Sequence, residues 1–215
     1  MLRILLLDDH AVVRTGYRRL IDAEGDMRVV AEATTADEAY ARMQEADVDV
    51  AVVDLSLRGS SGVEAIRRML ARQPLLRVLV MSMHDSAGFV TQAMRAGALG
   101  YLTKSSGPVD MLDAIRSVAA GRRVLSSDVA HVLADAVLDG EQLLARLTPR
   151  EFEVLRMAAQ GEPASWIANQ MHLSHKTVLN HLSMIRQKLE AENDFKLLRL
   201  AVRHGLVDFS AELAC

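Results

Sequence analysis

The sequence predicts two architectures in series, an α/β domain followed by an all-α domain. Short apolar runs alternate with stretches of helical period up to about Gly121, the alternation then stops, and from Thr148 onward only short helical segments remain. The apolar runs at residues 2–7, 28–33, 48–53, 77–81 and, more weakly, 99–102 read as strands. Between them, sets such as Val13, Tyr17, Leu20 and Ile21, or Val109, Leu112 and Ile115, fall on one face of a helix. Five strand-then-helix units imply a doubly wound five-stranded parallel sheet of order 2-1-3-4-5. Proline opens the fifth helix at Pro108 and Gly121 closes it. A helix over 126–138 and a polar stretch around Asp139 and Gly140 form a helical linker. Thr148-Pro149-Arg150-Glu151 carries a cap residue, proline at the first helical position and glutamate three residues after the cap. Ser174 and Asn193 mark two more helix starts, and Gly205 a stop. The expected domains are 1–121, a linker 122–146 and a four-helix domain 147–215.

Composition removes several classes. Of 215 residues, 50% are apolar and 25% charged with a net charge of -3, which describes a chain able to bury its own core. No apolar run approaches the roughly 18–20 residues of a membrane span, and the apolar start is stopped at Asp8 and Asp9, which argues against a signal peptide. The single cysteine, Cys215, makes neither an internal disulfide nor a zinc site, so the expected location is cytoplasmic.

Asp8 and Asp9 fall at the end of the first predicted strand and Asp54 at the end of the third. With those strands adjacent, about 4.8 Å apart, three carboxylates converge and repel unless a cation joins them. Oxygen donors suit a hard ion, Mg2+ first. Lys104 past the fifth strand adds a positive charge, and Ser82 at the end of the fourth a hydroxyl. A carboxylate nucleophile, a metal, a cation and a small donor together meet the needs of an aspartyl phosphate. Singly, each of these residues also fits an ordinary solvated turn.

Residues 1–120 resemble the receiver domain of two-component response regulators, through Leu7-Asp8-Asp9-His10, Val53-Asp54-Leu55-Ser56-Leu57, Met81-Ser82 and Gly100-Tyr101-Leu102-Thr103-Lys104. The resemblance implies Asp54 as phosphoacceptor, Asp8 and Asp9 as Mg2+ ligands with the Ser56 carbonyl, and Lys104 on the phosphoryl oxygens. It also implies that Ser82 bonds the phosphoryl group and that Tyr101 rotates inward to follow it. Two positions depart from the family pattern. Arg58, followed by Gly59, Ser60, Ser61 and Gly62, stands where proline is common. Met83, with His84 beside it, stands where a small residue admits the donor, so slower reaction with small donors or slower phosphoryl loss is expected.

In the second half, Ala164, Ile167, Ala168 and Met171 give one amphipathic helix, and Val178, Leu182, Ile185 and Leu189 the buried face of the next. The pair is a candidate helix-turn-helix. Its outer face carries Lys176, Leu179, Asn180, Ser183, Arg186 and Gln187; Asn can pair with adenine, and Lys and Arg anchor phosphates. From Thr148 to Cys215 eight Lys or Arg balance eight Asp or Glu, yet Pro163 to Leu189 contains no acid and holds Lys176, Arg186 and Lys188. Read locally, that face is equally a solvated polar surface of a small bundle. Residues 147–209 also resemble the NarL/FixJ-type, or LuxR-type, output domain, through Leu147-Thr148-Pro149-Arg150-Glu151, Ile167-Ala168, Lys176-Thr177-Val178, Asn180-His181 and Lys188-Leu189. That implies a helix over 174–190 in the major groove, Lys176 and Thr177 on the DNA backbone, Leu179, Asn180 and Ser183 on bases, and a last helix used for dimer contacts. Ser165 and Leu179 replace residues that are often basic, and Trp166 a frequent glutamate. Trp166 is open to a phosphate contact, a packing role in the resting state or a core role.

The expected function is a transcription regulator and not an enzyme, switched by phosphorylation of Asp54. Its expected partners are a sensor histidine kinase, double-stranded DNA, a second copy once phosphorylated, and RNA polymerase. The alternatives are a regulator that works without phosphorylation and a metal-dependent phosphohydrolase.

Overall fold

The computed structural model describes residues 1–57, 61–138 and 143–207. Arg58, Gly59, Ser60, Asp139, Gly140 and Cys215, singled out above, lie outside the described residues. The described chain divides into two compact units, Met1–Asp85 with Ala93–His131, and Ser86–Gln92 with the chain from Val132 onward. No described helix is long and apolar enough to cross a membrane.

The first unit is built from β1 (Leu2–Leu7), α1 (Ala11–Asp22), β2 (Met27–Ala33), α2 (Ala36–Glu45), β3 (Val50–Val53), α3 (Gly62–Arg72), β4 (Arg77–Ser82), the end of α4 (Ala87–Ala96), β5 (Gly100–Thr103), α5 (Pro108–Ala119), β6 (Val124–Leu125) and the start of α6 (Ser127–Leu138). The strands form one parallel sheet in the order β2-β1-β3-β4-β5-β6. The five expected strands are present in the expected order, and the sheet gains a sixth. β6 pairs Val124 with Gly100 and Leu125 with Tyr101, hydrogen-bonding onto the edge of β5. Two residues cannot display a period, so no pattern in the sequence announces them.

The central strands are continuously apolar because both of their faces are buried. Ile4, Leu6, Val50, Val52, Leu79 and Met81 pack with Ile21 of α1 and Met111, Ile115 and Val118 of α5. The alternate residues Leu5, Leu7, Ala51, Val53, Val78 and Val80 are also buried. α2 and α3 contact each other and bury Ala39, Val63, Ile66 and Met69.

In the second unit a short 3-10 turn (Leu143–Arg146) leads into α7 (Pro149–Ala159), α8 (Ala164–Gln170), α9 (His175–Lys188) and α10 (Asp194–Arg203). The capping box read at Thr148 is formed: its hydroxyl accepts from the Glu151 N–H at 3.3 Å, and the Glu151 carboxylate accepts from the Thr148 N–H at 2.8 Å. α8 and α9 end in the same way. At the end of α9, Ala191 N–H bonds the Arg186 carbonyl and Glu190 N–H the Gln187 carbonyl, which forces Glu190 to φ 53°. At the end of α8, Leu173 and His172 repeat the pattern on Ala168 and Asn169, with His172 at φ 53°. The helix-turn-helix turn is therefore held by a non-glycine residue in the left-handed region, which costs about 1 kcal/mol relative to glycine. Glu190 is well exposed, and its ion pair with Arg146 is a surface contact of small value. Glu190→Gly is expected to raise the stability of this unit by about 0.5–1 kcal/mol in a thermal melt, because relief of the strain exceeds the added unfolded-state freedom.

Candidate functional site

The sheet register brings the acidic residues together. Leu7 pairs with Val53, so Asp8 and Asp54 each stand one residue beyond the same rung, and Asp54 N–H bonds the Leu7 carbonyl at 2.8 Å. Ser82 pairs with Thr103, and Lys104 N–H bonds the Ser82 carbonyl at 2.8 Å. Four strand ends thus point chemistry at one rim of the sheet, as the switch in winding direction predicts.

Asp8 and Asp54 are 4% and 3% exposed. Lys104 Nζ lies 2.7 Å from Asp8 Oδ2 and 2.7 Å from Asp54 Oδ2, bridging the two. Burial works against the Lys104 charge, but the bonds to Asp54 and Asp8 more than offset it, and its pKa lies above that of an ordinary lysine. The raised value means that the bridge contributes fully below the ordinary lysine range and is lost only as the pH climbs through the raised value in strong alkali. The other oxygens are held by backbone donors, Asp8 Oδ1 by His10 N–H at 2.8 Å and Asp54 Oδ1 by Ser56 N–H at 3.0 Å. Asp8, Asp9, His10 and Asp54 each offer a ligand atom within 4.8 Å of the others. Three carboxylates against one ammonium leave a surplus of negative charge, which fits a dication.

Ser82 is fully buried, and its Oγ accepts from His84 N–H at 3.1 Å. Tyr101 is also fully buried and donates to the His84 carbonyl at 2.6 Å. Burial pushes the Tyr101 phenol well above its ordinary pKa, with the Ser82 hydroxyl working the other way, so it serves as a neutral donor. The sequence led us to expect Tyr101 to swing inward after the phosphoryl group; here the ring is already inward, held by burial and by the His84 carbonyl. Met83 is 73% exposed at the rim.

Two features of this site escape a reading of the sequence. His10 enters it through both its N–H and its ring. Gly62, at the start of α3, is pressed against the acceptor's own peptide: a Cβ there would stand 2.5 Å from the Asp54 carbonyl oxygen and 2.5 Å from Leu55 Cα.

On α9, Ser174 caps the helix by accepting from Thr177 N–H at 3.1 Å, and its hydroxyl lies 2.8 Å from the Thr177 hydroxyl. Val178, Ile185 and Leu189 are buried, while Lys176, Leu179, Asn180, Ser183 and Gln187 are exposed on the opposite side. Two expected contacts are already engaged within the domain. Lys188 turns its ammonium to the buried carboxylate of Glu151, 2.6 and 2.8 Å from its oxygens, because an ionised glutamate on α7 needs a partner there. Arg186 reaches Asp194 at the start of α10 at 3.1 Å. Ser165 is exposed and Trp166 half-buried.

Residues 4–116 match the family described as response regulator receiver domain. This span is more than half of the chain. The chain belongs to the response regulators. Residues 145–201 of the regulator match the family described as bacterial regulatory proteins, luxR family. The regulator is 34% identical over 209 residues to the response regulator UvrY of Escherichia coli K12, covering 96% of each chain. It is 38% identical over 212 residues to the transcriptional activator protein ExaE of Pseudomonas putida, covering 97% of this chain and 99% of that one. Among solved structures, a LuxR-family two-component response regulator from Aurantimonas is 44% identical, with TM-score 0.61, over 63% of this chain and 97% of that chain. RcsB from Salmonella enterica, bound to promoter rprA in the presence of the phosphomimetic BeF3-, is 25% identical with TM-score 0.75, over 93% and 97% of the two chains. The regulator therefore combines a receiver with a LuxR-type DNA-binding domain, the composition of a transcription regulator.

Proposed function

We propose that Asp54 is the phosphoacceptor and that its phosphorylation by a sensor histidine kinase controls pairing and promoter binding. The observation that carries this is Lys104 bridging Asp8 and Asp54 at 2.7 Å on a rim of three carboxylates. One Asp54 oxygen attacks the phosphorus of a phosphohistidine, an O–P bond forms as the P–N bond breaks, and the imidazole leaves with the electron pair. Lys104 stays beside the acceptor to balance the charge that the phosphoryl oxygens bring. Asp8, Asp9, Asp54 and the Ser56 carbonyl would hold a divalent cation, with Mg2+ the natural choice for oxygen donors. When bound, it supplies charge neutralisation for the phosphoryl group.

Ser82 and Tyr101 carry the readout. Both hold the His84 residue, one through its N–H and the other through its carbonyl. The Ser82 hydroxyl proton can be given to a phosphoryl oxygen, so a change at Ser82 is felt at His84 and through it at Tyr101. The chain captures one phosphoryl group instead of turning over a substrate. Ser56 stands two residues beyond Asp54, where a haloacid-dehalogenase-like phosphohydrolase needs a second aspartate, and this weighs against the hydrolase reading.

On the output side, Lys176 and Thr177 anchor the DNA backbone, and Leu179, Asn180, Ser183 and Gln187 present the base-reading face. Lys188 instead fixes α9 on α7 through Glu151, and Arg186 ties α9 to α10. Few cations remain for phosphates, so affinity depends on two copies binding two half-sites. Exposed Phe195 and Val202 on α10 suit a contact with a second copy, and that unit can also meet RNA polymerase at a promoter. The working division is a receiver 1–121, a linker 122–146 and an output domain 147–215, in a protein acting in the cytoplasm.

Incubating the full chain with acetyl phosphate and Mg2+ is expected to add one phosphoryl group by intact mass, and Asp54→Asn to add none. Equal labelling of both proteins would remove Asp54 from the role.

A further inference from the structure

The acidic rim holds a nitrogen donor as well as its oxygens. His10 Nδ1 lies 2.9 Å from Asp9 Oδ1 and 3.3 Å from Asp8 Oδ1. Two donors that sit side by side on a small dication at about 2.1 Å are separated by about 3.0 Å. The ring nitrogen therefore stands where a neighbouring ligand of Asp8 and Asp9 belongs. It meets the Oδ1 side of Asp8, whereas Lys104 occupies Asp8 Oδ2 and Asp54 Oδ2. An ion taken up on the Oδ1 side can use the imidazole with the ammonium still in place. His10 is also fixed from its own backbone, because its N–H bonds Asp8 Oδ1 at 2.8 Å while its ring is half exposed.

We infer that His10 is an inner-sphere ligand of the cation in the acidic pocket, giving the site a preference for a first-row transition dication over Mg2+. Imidazole nitrogen binds such ions well and adds little for Mg2+, which retains oxygen and water. Mg2+ then binds through the carboxylates alone, and Mn2+ or its heavier neighbours through carboxylates plus His10. The inference rests on the cation site proposed above.

The test uses the full-length chain loaded with Mn2+ alone. Pulsed electron paramagnetic resonance is expected to show the 14N modulation of a directly bound imidazole, absent from His10→Ala. Competition between Mn2+ and Mg2+ is expected to favour Mn2+ in the wild type, and the preference to fall by at least about tenfold in His10→Ala. The variant keeps its fold, since the His10 side chain makes no cap bond at α1 and the backbone N–H that holds Asp8 remains. Mn2+ bound without imidazole coupling, or an unchanged Mn2+ to Mg2+ ratio in the variant, overturns the role of His10 while leaving the cation site intact. Failure of the wild type to bind either ion overturns the cation site itself, and this inference with it.

Discussion

Lys104→Met is expected to destabilise the receiver by about 3 kcal/mol in the absence of a divalent cation and to regain much of that loss when Mg2+ is added. The methionine keeps the length of the side chain and removes its charge. Asp8 and Asp54, both nearly fully buried, then face each other without the ammonium that bridges them. Removing one partner of a buried ion pair costs about 3–5 kcal/mol, since the remaining charge cannot return to water. The backbone donors from His10 and Ser56 hold the cost toward the lower end of that range. A dication binding the native pocket stabilises it by an amount that grows with the logarithm of its concentration over its dissociation constant, about 2.7 kcal/mol at a hundredfold excess. Without Lys104 that affinity rises, as less positive charge competes for the carboxylates. Hydrogen exchange of the β1 and β3 amides, with and without Mg2+, measures both effects. Unchanged protection in the variant would show that the bridge has no energetic role.

The second large effect is expected at Gly62. A methyl group there would overlap the Asp54 carbonyl oxygen and Leu55 Cα at 2.5 Å, and both are backbone atoms that cannot rotate away. Gly62→Ala must therefore push α3 from the sheet or move the acceptor peptide. Overpacking of this kind costs about 1–3 kcal/mol, and the displaced carboxylate loses its place against Lys104. We expect the acetyl phosphate labelling rate to fall at least about tenfold, since small displacements of reacting groups cost about that much or more. A stable variant that labels at the wild-type rate would contradict the close approach.

What the sequence could and could not disclose follows from the range of each interaction. The continuous apolar runs of β1, β3 and β4 and the polar residues at their ends are local signals, and the structure places Asp8, Asp9, Asp54, Ser82 and Lys104 on one rim. The capping box at Thr148 and Glu151 is equally local. The second use of Glu151 is not: its partner Lys188 lies on another helix, and nothing near Lys188 in sequence indicates that its charge is engaged. The Gly62 contact is a close approach of α3 to the end of β3, which a glycine among serines does not specify. β6 depends on a neighbour at the sheet edge. Whole-chain charge concealed the acid-free stretch of α8 and α9, which becomes visible only when charge is counted by segment.

The central claim is that phosphorylation of Asp54 controls DNA binding. Duplexes recovered by genomic capture with the phosphorylated protein supply the probe, and fluorescence anisotropy with the full-length chain measures binding at fixed salt. Phosphorylated wild type is expected to bind at least about tenfold more tightly than Asp54→Asn treated with the same donor, within the usual range of coupling between two sites. Equal affinity and equal dimerisation of the two proteins would contradict the switch.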